Sequence, residues 1–254
     1  METITLDGFN LAYIRRGKGN PHLLLHGYPL DHSIWDKTAG ILDKNFDLIL
    51  PDLRGFGASS TVEAQYTLEE MSGDLLSLME KLGVNNAFVS GHSMGGYLAL
   101  AFARLHPDRV LGLGLVSTQL LADPPERKEG RYKTASDVTE KGVAVVADAM
   151  SLKLTPDPSL QRRMHSLMTA QSKAGMIGAL KAMAERSDST SFLSSFQKPV
   201  VIVPGDKDDL IPIERARETR QALPAARLLE LAGVGHLPMI EAAVETAWAL
   251  KQLQ

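Results

Sequence analysis

Gly91-His92-Ser93-Met94-Gly95-Gly96 sets a serine between glycines in the order G-x-S-x-G. Glycines at those positions relieve crowding where a strand turns sharply into a helix, and a serine at the apex presents its hydroxyl above the sheet. A Gly-rich turn with an idle surface serine would carry the same letters. Here the strand-like run Ala87 to Ser90 precedes the motif, and Leu98, Ala101, Phe102 and Leu105 follow it at helical spacing up to Pro107. A serine hydroxyl is a weak nucleophile at neutral pH and needs a base within hydrogen-bond reach. Histidine, with an ordinary pKa of about 6.5, suits that task.

Seven histidines compete for the role. His236, in Ala232-Gly233-Val234-Gly235-His236-Leu237-Pro238, follows the last predicted strand and opens the terminal helix, on the edge where Ser93 also falls. His26 ends an inner strand and reads as the brace of a loop. His92 is expected to point into the fold beside the nucleophile, and His106 closes a helix before Pro107. His22, His32 and His165 read as packing or surface residues. The imidazole needs an acid to fix its tautomer and stabilise the imidazolium. Val203 to Pro212 offers Asp206, Asp208 and Asp209, and Asp123 is a more remote fourth. Spacing does not choose among them, because a loop aspartate ahead of a helix serves equally as a cap or a solvated turn residue. An oxyanion would need two backbone N–H donors. The residue after the nucleophile, Met94, is one, and Tyr28 in His26-Gly27-Tyr28-Pro29 is the other, with Gly27 permitting close approach. A tight turn without chemistry is the competing reading of that tetrapeptide.

These residues must be carried by a scaffold, and the sequence outlines one. Short apolar runs ending in Gly, Asp or Ser alternate with segments of helical period, the pattern of an α/β fold with a parallel sheet covered on both faces. The predicted strands are Pro21 to His26, Phe46 to Asp52, Ala87 to Gly91, Val110 to Ser117, Pro199 to Gly205 and Arg227 to Ala232, preceded by an antiparallel hairpin of Glu2 to Asp7 and Asn10 to Gly17. Leu68, Met71, Leu75, Leu78 and Leu82 share one helical face, Thr67 with Glu70 makes a capping box, and Gly83 stops the helix. The alternation lapses over residues 118–198, which read as a mainly helical cap inserted in a core made of residues 1–117 and 199–254. Five of the ten methionines fall in that cap: Met150, Met164, Met168, Met176 and Met183.

Composition excludes several classes of function. The chain has 254 residues, 44% hydrophobic and 22% charged, within the range of soluble globular proteins. A net charge of -3 leaves no basic footprint for nucleic acid or anionic membranes. Without cysteine there are no disulfides, thiolate metal sites or cysteine nucleophiles. The opening residues lack a basic and apolar leader, and no stretch approaches the roughly 18 apolar residues of a membrane span, so a cytoplasmic location is expected.

Several motifs in one order carry a resemblance. His26-Gly27-Tyr28-Pro29 looks like an oxyanion loop, and Asp52-Leu53-Arg54-Gly55-Phe56-Gly57-Ala58-Ser59 like a D-x-R-G-x-G-x-S segment. Gly91 to Gly95 looks like a nucleophile elbow, Gly205-x-x-Asp208-x-x-x-Pro212 like an acid loop, and Gly235-His236 like a histidine loop. Nearly end to end, the chain resembles the α/β-hydrolase superfamily, especially small bacterial esterases, enol-lactonases and cofactor-free haloperoxidase-like members. That resemblance implies a mostly parallel eight-stranded sheet with helices on both faces and a small helical cap. It makes Asp208 the acid of a Ser93-His236-Asp208 triad, gives Tyr28 and Met94 the oxyanion hole, and implies no metal or cofactor. The Asp52 to Ser59 segment is structural in such proteins, so Arg54 is expected in a buried ion pair or turn.

The activity implied is hydrolysis of small to medium carboxylic esters through an acyl-enzyme. An enol-lactonase or C–C bond hydrolase with the same triad is the alternative, since Tyr28-Pro29-Leu30-Asp31-His32 through Trp35 resembles a segment of some lactonases. Dehalogenase chemistry is disfavoured, because that branch has aspartate where Ser93 stands. A non-catalytic ligand binder on the same scaffold would not need the intact serine, acid and histidine. His92, Met150 and Leu210 are the candidates to line a substrate pocket. The Met-rich cap, with few cationic anchors in view, points to an apolar and adaptable one, although methionines at helical spacing also fit the cap's own core.

Overall fold

The computed structural model describes residues 1–6, 8–61, 63 and 65–254, so the Asp7 end of the first predicted strand lies outside the described residues. Eight strands are present among these: β1 (Glu2–Leu6), β2 (Phe9–Gly17), β3 (Asn20–Leu25), β4 (Phe46–Pro51), β5 (Ala87–His92), β6 (Val110–Val116), β7 (Val200–Val203) and β8 (Arg227–Leu228). They form one sheet in the order β1-β2-β4-β3-β5-β6-β7-β8. The first two pairings, β1 with β2 and β2 with β4, are antiparallel, and the remainder are parallel. Parallel strands covered on both faces need apolar residues at every position, and β5 and β7 are buried along their whole length.

The helices before residue 118 are α1 (Asp36–Leu42), α2 (Leu68–Lys81) and α3 (Met94–Leu105); those within the segment 118–198 are α4 (Pro125–Lys141), α5 (Ala144–Leu154), α6 (Pro158–Thr169), α7 (Lys173–Ala184) and α8 (Thr190–Ser194). After it come α9 (Ile213–Ala222), α10 (Pro238–Glu241) and α11 (Ala243–Lys251). The capping box of α2 is made in both directions, Glu70 N–H donating to Thr67 Oγ1 at 3.1 Å and Thr67 N–H to Glu70 Oε2 at 2.7 Å. Arg54 binds the Asp74 carboxylate of α2 with two bonds of 2.6 Å and stacks over Phe9 and Tyr66, the buried ion pair expected of it.

Residues 118–198 are joined to the rest by close backbone contacts. A Cβ added at Gly175 of α7 would stand 2.0 Å from the Gly55 carbonyl oxygen, so only two glycines let these segments meet. Beside them the Gly57 N–H donates to Gln171 Oε1 at 2.8 Å and the Tyr66 hydroxyl to the Gly175 carbonyl at 3.1 Å. Met164, Met168 and Met176 are fully buried and fill the packing of this unit. Among the described residues no helix is long and apolar enough to cross a membrane.

The C-terminal part of the sheet differs from expectation in two places. The predicted strand Arg227 to Ala232 pairs regularly only over Arg227–Leu228; beyond it the chain follows β7 through Leu229 N–H to the Ile202 carbonyl and Leu231 N–H to that of Pro204. Pro204 has no N–H with which to return a ladder bond, so regular pairing ends. The terminal helix is also broken, at Ala242, where φ is −133°.

Candidate active site

The parallel strands β3, β5, β6 and β7 send their carboxyl ends to one edge, where an open α/β sheet places its ligands. At the end of β5 Ser93 has φ 53° and ψ −115°, a conformation that costs a non-glycine residue about 1–3 kcal/mol unless its surroundings impose it. They do. Ser93 N–H donates to the Val116 carbonyl at 3.0 Å, and the Ser93 carbonyl accepts from Thr118 Oγ1 at 2.8 Å and from Gly96 N–H at 2.9 Å. Gly91 and Gly95 supply the space: a Cβ on Gly91 would lie 2.0 Å from the Gly95 oxygen, and one on Gly95 would lie 2.4 Å from that of Leu25.

His236 is fully buried, and its Nδ1 lies 2.7 Å from Asp208 Oδ2. The other oxygen of that carboxylate accepts the N–H groups of Leu210 and Ile211, both at 2.9 Å. Burial pushes the Asp208 carboxyl upward, but the His236 ring and those two amides outweigh it and hold the group below the usual carboxylate range. An ionised carboxylate only accepts, so Nδ1 carries a proton, and in the neutral ring that leaves the lone pair on Nε2. Nε2 is buried and has no hydrogen-bond partner among the described residues, Ser93 Oγ included. The loop is further fixed by His236 N–H donating to the Leu154 carbonyl at the end of α5, at 2.8 Å.

The three rival acids are placed elsewhere. Asp206 is exposed and accepts the Gly233 N–H at 2.7 Å, and Asp209 is exposed. Asp123 is held in an ion pair with Arg131 and another with Arg186. The remaining histidines are likewise engaged. His26 braces its loop, Nε2 accepting the Leu53 N–H at 2.9 Å and Nδ1 meeting the Gly27 carbonyl at 2.9 Å. His22 lies 2.7 Å from Ser90 Oγ, and His165 pairs with Asp148 at the surface. Asp31, His32 and Asp52 bring ligand-type atoms within 4.8 Å of one another, a spacing that would fit a cation. The Asp52 carboxylate is already taken up there by His32 Nδ1 at 2.7 Å and by the N–H groups of His32 and Ala58, the pattern of a structural cluster.

Ser93 opens into a cavity of about 560 Å³. Tyr28, Tyr97, Leu210 and Ile211 line it, together with Met150 of α5 and Met183 of α7. The Tyr28 and Met94 N–H groups have no acceptor among the described residues. Met94 is the first residue of α3, where amides lack intrahelical partners and the helix dipole favours negative charge.

Two expectations are corrected. His92 does not line the cavity: its neighbour Ser93 takes the apex of the turn, and the His92 side chain is fully buried beneath it. Its Nε2 donates to the His236 carbonyl at 2.7 Å, the two rings lie 4.7 Å apart, and burial keeps it neutral. It is a strut between the Ser93 turn and the His236 loop. Nor is the cavity poor in cations, since Arg127, Arg131 and Lys153 all line it. Sequence reasoning missed these, and Thr118 with them. For the arginines a signal existed, because residues 127, 130, 131, 134 and 137 recur on one face of α4 and all meet the cavity.

Residues 20–243 match the family described as the alpha/beta hydrolase fold. Lipase 1 of Psychrobacter immobilis is 27% identical over 259 residues, covering 97% of this chain and 81% of the lipase. A thermophilic esterase from Thermogutta terrifontis, solved with malate bound, superposes with a TM-score of 0.95 at 32% identity, covering 99% of this chain and 97% of that one. An enol-lactonase from Burkholderia xenovorans gives a TM-score of 0.91 at 25% identity, with 99% of each chain covered.

Proposed function

Because this chain belongs to the α/β-hydrolase fold family, we propose that it is a serine hydrolase that cleaves small to medium carboxylic esters through an acyl-enzyme. One observation carries the reading. The buried pair of Asp208 and His236, 2.7 Å apart, stands at the same sheet edge as a strained Ser93 that opens into a cavity. The relatives named lipase and esterase support an ester as the substrate.

In the first half-reaction Ser93 Oγ bonds to the carbonyl carbon as its proton passes to His236 Nε2. Asp208 keeps the other ring proton on Nδ1 and stabilises the imidazolium. The carbonyl oxygen becomes an oxyanion held by the amides of Tyr28 and Met94, each such donor being worth roughly a hundredfold or more in rate. The tetrahedral species collapses, the C–O bond to the alcohol breaks, and His236 gives the alcohol its proton. A water then repeats the attack on the acyl-enzyme, losing a proton to His236, and the acid departs as that proton returns to Ser93. Residues 118–198 form the cap that shapes the cavity above a core of residues 1–117 and 199–254.

A lactone is a cyclic ester opened by the same steps, and the likeness to the enol-lactonase favours this second reading. A panel of esters of graded acyl length together with lactones, run with Ser93→Ala as control, tests both. Turnover that Ser93→Ala abolishes supports the proposal, whereas turnover unchanged in that variant, or none on any member, removes it.

A further inference from the structure

The α4 face that meets the cavity is polar and, on balance, cationic. Arg127 and Arg131 line the wall with Lys153 of α5; Asp137, the one acid among the described residues that line the cavity, is engaged by Lys141 at 2.5 Å. Arg131 is held in place: its Nε donates to Asp123, and its Nη1 lies 3.4 Å from Met183 Sδ. Its Nη2 has no partner among the described residues. Asp123 does not neutralise it, because the same carboxylate also holds Arg186 at 2.8 Å, so two guanidinium groups share one negative charge. A cavity wall that carries unneutralised positive charge favours ligands bearing an anion.

We propose that Arg131 and Lys153, which line the same cavity as Ser93, form an anion subsite, and that the preferred substrates are esters carrying a second, ionised carboxylate, such as half-esters of short dicarboxylic acids. This rests on the reading of Ser93 as the nucleophile. The guanidinium would meet one carboxylate oxygen through Nη2 while the ester carbonyl sits over Ser93.

The test compares monoethyl glutarate with ethyl valerate, which share an acyl chain length and differ in the terminal carboxylate, each followed by proton release. A charge-assisted contact predicts that kcat/KM for the half-ester exceeds that for the neutral ester by about ten- to a hundredfold, mostly through KM. Arg131→Gln should bring this ratio close to one, and a ratio cancels any general loss of active protein. Lys153→Gln, at an exposed position of the same cavity lining, should lower the ratio severalfold; it decides the matter if the arginine variant does not fold. A wild-type ratio near one, or a ratio that survives both substitutions, overturns the subsite alone. No Ser93-dependent turnover of either ester overturns the hydrolase reading on which it rests.

Discussion

Replacing Asp208 by asparagine keeps the shape of the side chain and reverses the hydrogen-bond polarity that faces His236. The carboxylate oxygen turned away from the ring accepts two N–H groups, from Leu210 and Ile211, both at 2.9 Å. An asparagine NH₂ placed there would set donor against donor, so the amide oxygen must take that position and the NH₂ must occupy the 2.7 Å contact with His236 Nδ1. Nδ1 then has to accept, the ring proton moves to Nε2, and the atom that should take the Ser93 proton no longer has a lone pair. The same error of tautomer in a serine triad costs about 10⁴ in kcat, or about 5 kcal/mol of transition-state stabilisation. KM for a short ester should change little, because no atom lining the cavity is altered. Initial rates measured beside a melting curve separate lost chemistry from lost folding, and ¹⁵N shifts of His236 report the tautomer directly. A kcat within tenfold of wild type in a folded Asp208→Asn protein would refute the reasoning, above all if Asp206→Asn were the variant that abolished turnover.

Gly95→Ala should destabilise the fold by about 2–3 kcal/mol, because the added Cβ would lie 2.4 to 2.8 Å from backbone atoms of Leu25 and His26, which cannot swing aside; urea unfolding measures it, and an unchanged midpoint would contradict the packing described. Asp123→Asn removes the carboxylate that holds Arg186, whose side chain is 3% exposed, and breaking such a pair should cost about 3–5 kcal/mol, against less than about 0.5 kcal/mol for the exposed Asp206→Asn. Burial lowers His22 from 6.5 to about 3, so the folded protein resists its protonation while the unfolded chain accepts it. The stability this residue contributes is therefore complete above about pH 6.5 and is lost as pH falls toward 3, by up to about 1.4 kcal/mol per pH unit. Denaturant titrations at several pH values should show a slope shallower by that amount in His22→Gln; equal slopes would place the acid sensitivity elsewhere.

The scaffold was more legible than the site it carries. Strands such as Ala87 to Gly91 announce themselves because both faces are covered and every residue is apolar or small. Helix α2 does so because its cap and its apolar stripe agree. By contrast, nothing in the spacing of Asp206, Asp208 and Asp209 separates them; what does is a loop that aims two of its own amides at one carboxylate and leaves the others in water. His92 misled for a related reason. Adjacency to the nucleophile suggested contact with substrate, yet at a sharp turn neighbouring side chains diverge, and the one below the apex meets the His236 loop. The arginines of α4 could be set on one helical face from sequence. That this face meets the cavity depends on how residues 118–198 pack against the sheet and its loops, and the close approach of Gly55 and Gly175 joins residues far apart in the chain.

The order in which the parts are laid down has a consequence for biosynthesis. Ser93 emerges from the ribosome early, on β5, but Asp208 and His236, its partners in the proposed triad, arrive only after the whole helical excursion that follows β6. On that reading a nascent chain holds an ordinary alcohol at its elbow, and the proposed chemistry waits for the segments that follow β7.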